Sequence, residues 1–256
     1  MRTAFASDFD GTLHFGVRGI SAEDLEAIAR YRETGGLFGI NTGRSARSLL
    51  NQTEGVIDPD FIIAVSGAVI LGRGGERIRE RLLPREIALD VLKRYRWPAL
   101  GLCIAVSDES WAVPPLAWAP GLPYRIAQRR AMLLSRVPEK VYGLSMRFFR
   151  EGFAARIAQD ILKRYRGEVN VFQNLMSLDI VSGDCSKGAG LLAVKETFGV
   201  DAIGAMGDSY NDLPQLEAAD VAYTFPDAAP QVRAAADVLA PSVAAALKDL
   251  SARPQG

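Results

Sequence analysis

Ser7-Asp8-Phe9-Asp10-Gly11-Thr12-Leu13 follows a short apolar run, Thr3 to Ala6, and sets two carboxylates two residues apart where a strand is expected to end at a glycine turn. Residues i and i+2 of a strand point the same way, so Asp8 and Asp10 are expected to reach one pocket as the backbone turns at Gly11. Two acids that close repel one another unless a cation lies between them, and a hard divalent ion with oxygen ligands is the natural partner. One carboxylate can then attack an electrophile while its neighbour carries the proton, the division of labour of covalent catalysis followed by hydrolysis. Taken alone, the stretch also reads as an acidic turn after an edge strand, because Asp-Gly is common turn chemistry.

A second stretch, Ala205-Met206-Gly207-Asp208-Ser209-Tyr210-Asn211-Asp212, again leads a strand through glycine into acids. Between the two stand Thr42-Gly43-Arg44 and Ser186-Lys187-Gly188. In this order and spacing the four motifs resemble the haloacid dehalogenase-like superfamily of phosphotransferases, and within it the Cof-type phosphatases, whose large cap is inserted between the second and third motifs. The resemblance covers nearly the whole chain. It implies a doubly wound, mainly parallel α/β Rossmann-like core from residues 1–82 and 184–256, with an inserted α+β cap at 83–183 that chooses the substrate.

The activity implied is Mg2+-dependent hydrolysis of small-molecule phosphate monoesters, sugar phosphates or phosphorylated cofactors, through an aspartyl-phosphate. Asp8 is then the nucleophile, and Asp10 the acid that protonates the leaving oxygen and the base that activates water. Asp8, Asp208 and, by the resemblance, the main-chain carbonyl of Asp10 are the expected metal ligands. Asp212, four residues after Asp208, lies on the same face if a helix starts promptly, and supports the ion directly or through water. Thr42 offers a hydroxyl and Gly43 an open amide to a phosphoryl oxygen. In relatives the threonine holds phosphate, Asn211 helps, and Arg44 faces cap or substrate. Lys187 opposes the helix dipole at a helix start, which calls for an anionic partner, the carboxylates and the phosphate together. Two departures stand out: Ser66 where relatives carry asparagine before Gly67, and Asp227 where they carry it before Ala228.

Composition narrows the alternatives. Lys+Arg and Asp+Glu are equal at 30 each, so no net field recruits nucleic acid or an anionic membrane, and a small phosphorylated molecule is the expected partner. The two cysteines, Cys103 and Cys185, are far apart and make neither a disulfide framework nor a zinc pattern. Seven residues precede Asp8, too few for a signal peptide ahead of that strand, and no apolar run has membrane length, so a cytoplasmic location is expected. A phosphomutase, handing the same phosphoryl group to a second hydroxyl, and a non-catalytic phosphate-binding protein remain as other readings.

Along the chain, Ser21 with Asp24 reads as the N-cap of a helix to about Glu33 that Gly35-Gly36 stops. Strands are expected at 37–40, 61–65, 69–71, 77–82, 202–206 and 221–224 in the core, and at 100–106, 111–113, 141–149, 168–172 and 177–181 in the cap. Helices are expected at 45–52, 85–95, 151–165, from Lys187, 231–236 and 243–250. Trp97, Trp111 and Trp118 read as packing residues, and Arg125, Arg129 and Arg130 as a solvated helix face. His14, the lone histidine, reads as a loop residue or cap contact.

Overall fold

The computed structural model describes residues 2–96, 102–107, 110–113 and 137–253. In chain order the strands are β1 (Thr3–Ser7), β2 (Leu37–Asn41), β3 (Phe61–Ala64), β4 (Val69–Gly72), β5 (Arg77–Glu80), β6 (Leu102–Val106), β7 (Ser110–Val113), β8 (Gly143–Arg147), β9 (Val169–Asn174), β10 (Ser177–Ser182), β11 (Ala202–Met206), β12 (Val221–Thr224) and β13 (Val238–Leu239). The chain divides into two compact units, Met1–Arg79 with Ser186–Gly256, and Glu80–Cys185.

The first unit is built on a sheet of order β13-β12-β11-β1-β2-β3-β4-β5. The pairings from β13 to β3 are parallel, and β4 returns antiparallel to β3. Alternation along β1 sorts its two faces: Ala4 and Ala6 join Leu191 and Val194 of the helix Lys187–Phe198 in one apolar cluster. Phe5 lies on the other face, where its ring stacks on Phe38 and tilts against Tyr223. Leu250 of the helix Val243–Ala252 covers that face beside Phe5, and Asp24 of the helix Ala22–Glu33 accepts the Ala244 N–H at 2.8 Å. Helices therefore cover both faces of a largely parallel sheet, the doubly wound arrangement.

Chain order reverses between β1 and β11: strands after β1 build outward on one side, and β11 begins the other. The crevice at the carboxyl ends of these two strands is where ligands of such sheets bind. Ser7 is in register with Met206, so Asp8 and Gly207 leave the sheet side by side.

The second unit is an antiparallel sheet of order β7-β6-β8-β10-β9. Leu144, Met146, Leu178 and Ile180 cluster with Ile87 and Val91 of the helix Arg85–Tyr95 and with Ala154 and Ile161 of the helix Glu151–Arg164. The two helices are cross-linked reciprocally, Tyr95 donating to Asp160 and Tyr165 to Asp90. Trp97, Trp118, Arg125, Arg129 and Arg130 lie outside the described residues, as do the side chains of Trp111 and Cys103.

Most elements fall where periodicity puts them, and the differences have causes. The expected strand at 141–149 is shorter, Gly143–Arg147. β13, two residues long, is too short to carry a period. No helix starts promptly after Asp208: a 3-10 turn at Tyr210–Asp212 precedes the helix Leu213–Ala218, because the Asp212 side chain folds back onto the N–H groups before it.

Candidate active site

β1 ends at Ser7, so Asp8 and Asp10 lie beyond the strand and the two-residue alternation no longer governs them. Asp8 is held by its backbone, its N–H donating to Met206 O at 2.8 Å, and its carboxylate turns inward. Asp10 stays exposed and meets Arg44 instead, which donates from Nε and Nη2 to its two oxygens at 2.5 and 2.6 Å. That bidentate pair was not legible from the motif, and it occupies the guanidinium expected to face cap or substrate.

Lys187 is the first residue of its helix and is 1% exposed. Ser186 caps that helix by accepting the Ala189 N–H, and Asn41 at the end of β2 donates to Lys187 O at 3.0 Å. The ammonium thus has a fixed backbone beneath it. Its Nζ donates to Asp8 Oδ1 and to Asp212 Oδ1, both at 2.5 Å. Burial works against the charged ammonium, but Asp212 and Asp8 outweigh it and hold its pKa above the ordinary lysine value. Burial pushes the Asp8 carboxyl up to about 8; Lys187 pulls it down, and Asp212 and Asp208 push it up further.

Asp208 follows β11 across the crevice. Thr12, buried in the turn after β1, donates to its Oδ1 at 2.9 Å and so ties the early acidic turn to the late one. Gly11 makes this approach possible: its φ is +92°, and a Cβ there would lie 2.9 Å from Asp208 Oδ2. Burial, then the nearby Asp212, raises the Asp208 carboxyl to about 6. One oxygen from each of Asp8, Asp208 and Asp212 lies within 4.8 Å of the others. Among the described residues, Asp8 and Asp208 each keep one oxygen that accepts no hydrogen bond. Carboxylate oxygens gathered this closely, with Asp8 and Asp208 otherwise pushed towards protonation by burial, fit a hard divalent cation.

Thr42, which directly follows β2, is buried. Its Oγ1 accepts the Arg44 N–H at 3.1 Å, which leaves the hydroxyl hydrogen free to donate. The loop is buttressed by Val65 and Ser66, whose N–H groups donate to Arg44 O and Thr42 O at 2.9 and 3.1 Å. Both residues have left-handed backbone, φ +49° and +50°, and Ser66 Oγ is buried with no hydrogen-bond partner among the described residues. Such local strain is tolerated where surrounding contacts fix the chain. Asn211 accepts from Ser209 Oγ at 2.6 Å, and Asp227 is exposed. The His14 ring stacks on Phe9 at 4.8 Å, and its main-chain oxygen accepts the Gly11 N–H, the part of a loop-packing residue.

The contacts made by Thr12, Asn41 and Gln215 are not legible in the motifs. Gln215, fully buried, donates from Nε2 to Asp212 Oδ1 at 3.0 Å and to Met206 O at 3.2 Å. A Thr directly after Asp-Gly was the only local signal among the three.

Residues 5–246 match the family model described as haloacid dehalogenase-like hydrolase. A protein named HMP-PP phosphatase from Cronobacter sakazakii is 23% identical over 240 residues, covering 90% of this chain and 86% of its own. Among solved structures, the HAD subclass IIB sugar phosphatase BT4131 aligns with a TM-score of 0.80 at 19% identity, over 97% of this chain and 99% of its own. A haloacid dehalogenase-like hydrolase from B. subtilis aligns with a TM-score of 0.81 at 19% identity, over 96% and 99%. These structural likenesses are of fold.

Proposed function

We propose, since the chain belongs to the haloacid dehalogenase-like hydrolase family, that it is a Mg2+-dependent phosphatase of small-molecule phosphate monoesters working through an aspartyl-phosphate on Asp8. The observation that carries this reading is the buried Asp8 carboxylate, held by Lys187 Nζ at 2.5 Å beside Asp208 at the switch point of the sheet. The free oxygens of Asp8 and Asp208, with the Asp10 main-chain carbonyl by family likeness, would hold the ion. When bound, Mg2+ supplies charge neutralisation and a fixed frame for the phosphoryl oxygens.

The protein's own groups do the rest. Lys187 offsets the charge between nucleophile and phosphate, while the Thr42 hydroxyl and the Gly43 amide orient the phosphoryl group. Asp8 attacks phosphorus; the new O–P bond forms as the bond to the leaving oxygen breaks, and Asp10 gives that oxygen its proton. Water then attacks phosphorus, Asp10 takes its proton, and Asp8 is released with inorganic phosphate. Protonation of Asp10 removes the negative charge that strengthens both Arg44 bonds, so the clamp loosens at that step of each cycle.

The substrate class, sugar phosphates or phosphorylated cofactors, draws support from the relatives' names and from the balanced net charge, which favours no polymer. Residues 83–183 are proposed as the cap that selects among them. Among the described residues no helix is long and apolar enough to cross a membrane, and a cytoplasmic site of action is proposed. A panel of phosphorylated metabolites assayed with Mg2+ and with a chelator tests the reading. Metal-dependent release of inorganic phosphate supports it; an isomeric phosphate ester in its place points to a mutase, and absence of turnover across the panel to a binding protein.

A further inference from the structure

Asp212 is 0% exposed, and every lone pair of its carboxylate is accounted for within the protein. Oδ1 accepts Lys187 Nζ at 2.5 Å and Gln215 Nε2 at 3.0 Å. Oδ2 accepts the N–H groups of Asp208 and Ser209, both at 3.0 Å, and Ser209 Oγ approaches at 3.4 Å. A carboxylate oxygen offers two lone pairs, so two donors fill each. A cation binding here would have to evict a buried donor and leave it without a partner. Asp8 and Asp208 are different: among the described residues each has one oxygen engaged and one open.

We infer that Asp212, although close to the other two acids, is not a ligand of the ion but the buried counter-anion that fixes Lys187, and that Gln215 is the positioning residue that aims it. The inference rests on the proposed metal site and sharpens the roles within it. Gln215 is itself 0% exposed, and its Nε2 bridges Asp212 Oδ1 and Met206 O. Both acceptors are oxygens, so the amide must point its nitrogen at them. Its Oε1 is left buried with no partner among the described residues, an unfavourable arrangement that this bridge explains. Met206 O also accepts the Asp8 N–H, so one carbonyl at the end of β11 anchors both the nucleophile and the amide that orients the counter-anion. Gly207 completes the device: a Cβ there would lie 2.4 Å from Asp212 Cβ, so only glycine lets Asp212 fold back over the strand end. Lys187 is thereby held between two fixed carboxylates, whether or not the crevice holds an ion.

Thiolate substitution with Cd2+ tests direct ligation without any activity measurement, because a soft sulfur in the coordination sphere gives an ultraviolet charge-transfer band. Wild-type protein, with its own two cysteines, is the blank. Asp208→Cys should gain the band on adding Cd2+, and Asp212→Cys should not. A band of similar strength in Asp212→Cys overturns the inference. No band in Asp208→Cys instead strikes at the metal site itself. Gln215→Met, which keeps Asp212 and the buried volume, covers the case in which Asp212→Cys does not fold. It should weaken binding of tungstate, a phosphate analogue, about tenfold, the loss of one charge-assisted hydrogen bond, and leave Mg2+ affinity within about twofold. Unchanged tungstate affinity in a folded Gln215→Met would overturn the positioning role.

Discussion

Arg44 grips both oxygens of Asp10 through Nε and Nη2, at 2.5 and 2.6 Å, and its guanidinium also lies over the Phe9 ring at 5.6 Å. The fork fixes the carboxylate in two directions, and a lysine cannot reproduce that.

Arg44→Lys is therefore expected to slow esters with poor leaving groups more than activated ones. General acid help is worth about 100-fold or more for an alkoxide and little for p-nitrophenolate. Comparing kcat on a sugar phosphate and on p-nitrophenyl phosphate reads the difference. Equal losses on both substrates would separate Arg44 from the work of Asp10.

The raised carboxyls give the metal-free protein a signed pH dependence. Burial lifts Asp8 to about 8 and Asp208 to about 6, so the folded chain retains protons that the unfolded chain releases above about 4. Stability of the metal-free protein should fall as pH rises from 6 to 8, chiefly through Asp8. Mg2+ should bind more tightly and release protons over the same interval. Melting curves with chelator and with Mg2+ check the first point, and calorimetry in buffers of different ionisation enthalpy the second. A metal-free melting temperature that climbs between pH 6 and 8 would contradict the assignment.

Gly11→Ala places a Cβ 2.9 Å from Asp208 Oδ2 at a φ of +92°. The backbone strain costs about 1–2 kcal/mol, and Asp208 must move. A melting temperature a few degrees lower is expected, with Mg2+ affinity reduced about tenfold. Calorimetric titration of Mg2+ into the variant measures this, and wild-type affinity would mean that the two turns are not coupled.

Ser66→Gly acts in the opposite direction. Ser66 has φ +50° and a buried hydroxyl with no partner among the described residues, so glycine relieves strain and removes an unsatisfied group. A gain of about 0.5–1 kcal/mol is expected, seen as a higher melting temperature. A loss of stability would show that the hydroxyl has a stabilising role.

The fold was legible because its signals are local. Ser21 caps its helix as the Ser-x-x-Asp spacing implies, accepting the Asp24 N–H at 3.0 Å. β11 begins at Ala202 and ends at Met206, the bounds expected from its apolar run. Site chemistry was legible only as residue types in order. Asp8 and Asp10 were expected to share a face, but the strand ends at Ser7 and they take different partners, Lys187 and Arg44. Asp212 was expected on a helix face with Asp208, yet a side-chain bond to the Asp208 N–H replaces the helical turn. Gln215 and Asn41 serve through contacts set by how strand ends meet, which no periodicity encodes.

The central claim is that Asp8 takes the phosphoryl group. Mixing enzyme, Mg2+ and a turned-over phosphate ester, quenching in acid and reducing with borohydride converts an acyl phosphate to an alcohol, which peptide mass spectrometry locates. Homoserine at position 8, absent without substrate, is the predicted result. An unmodified Asp8 with the label on another residue, or turnover that survives in Asp8→Asn, would contradict it.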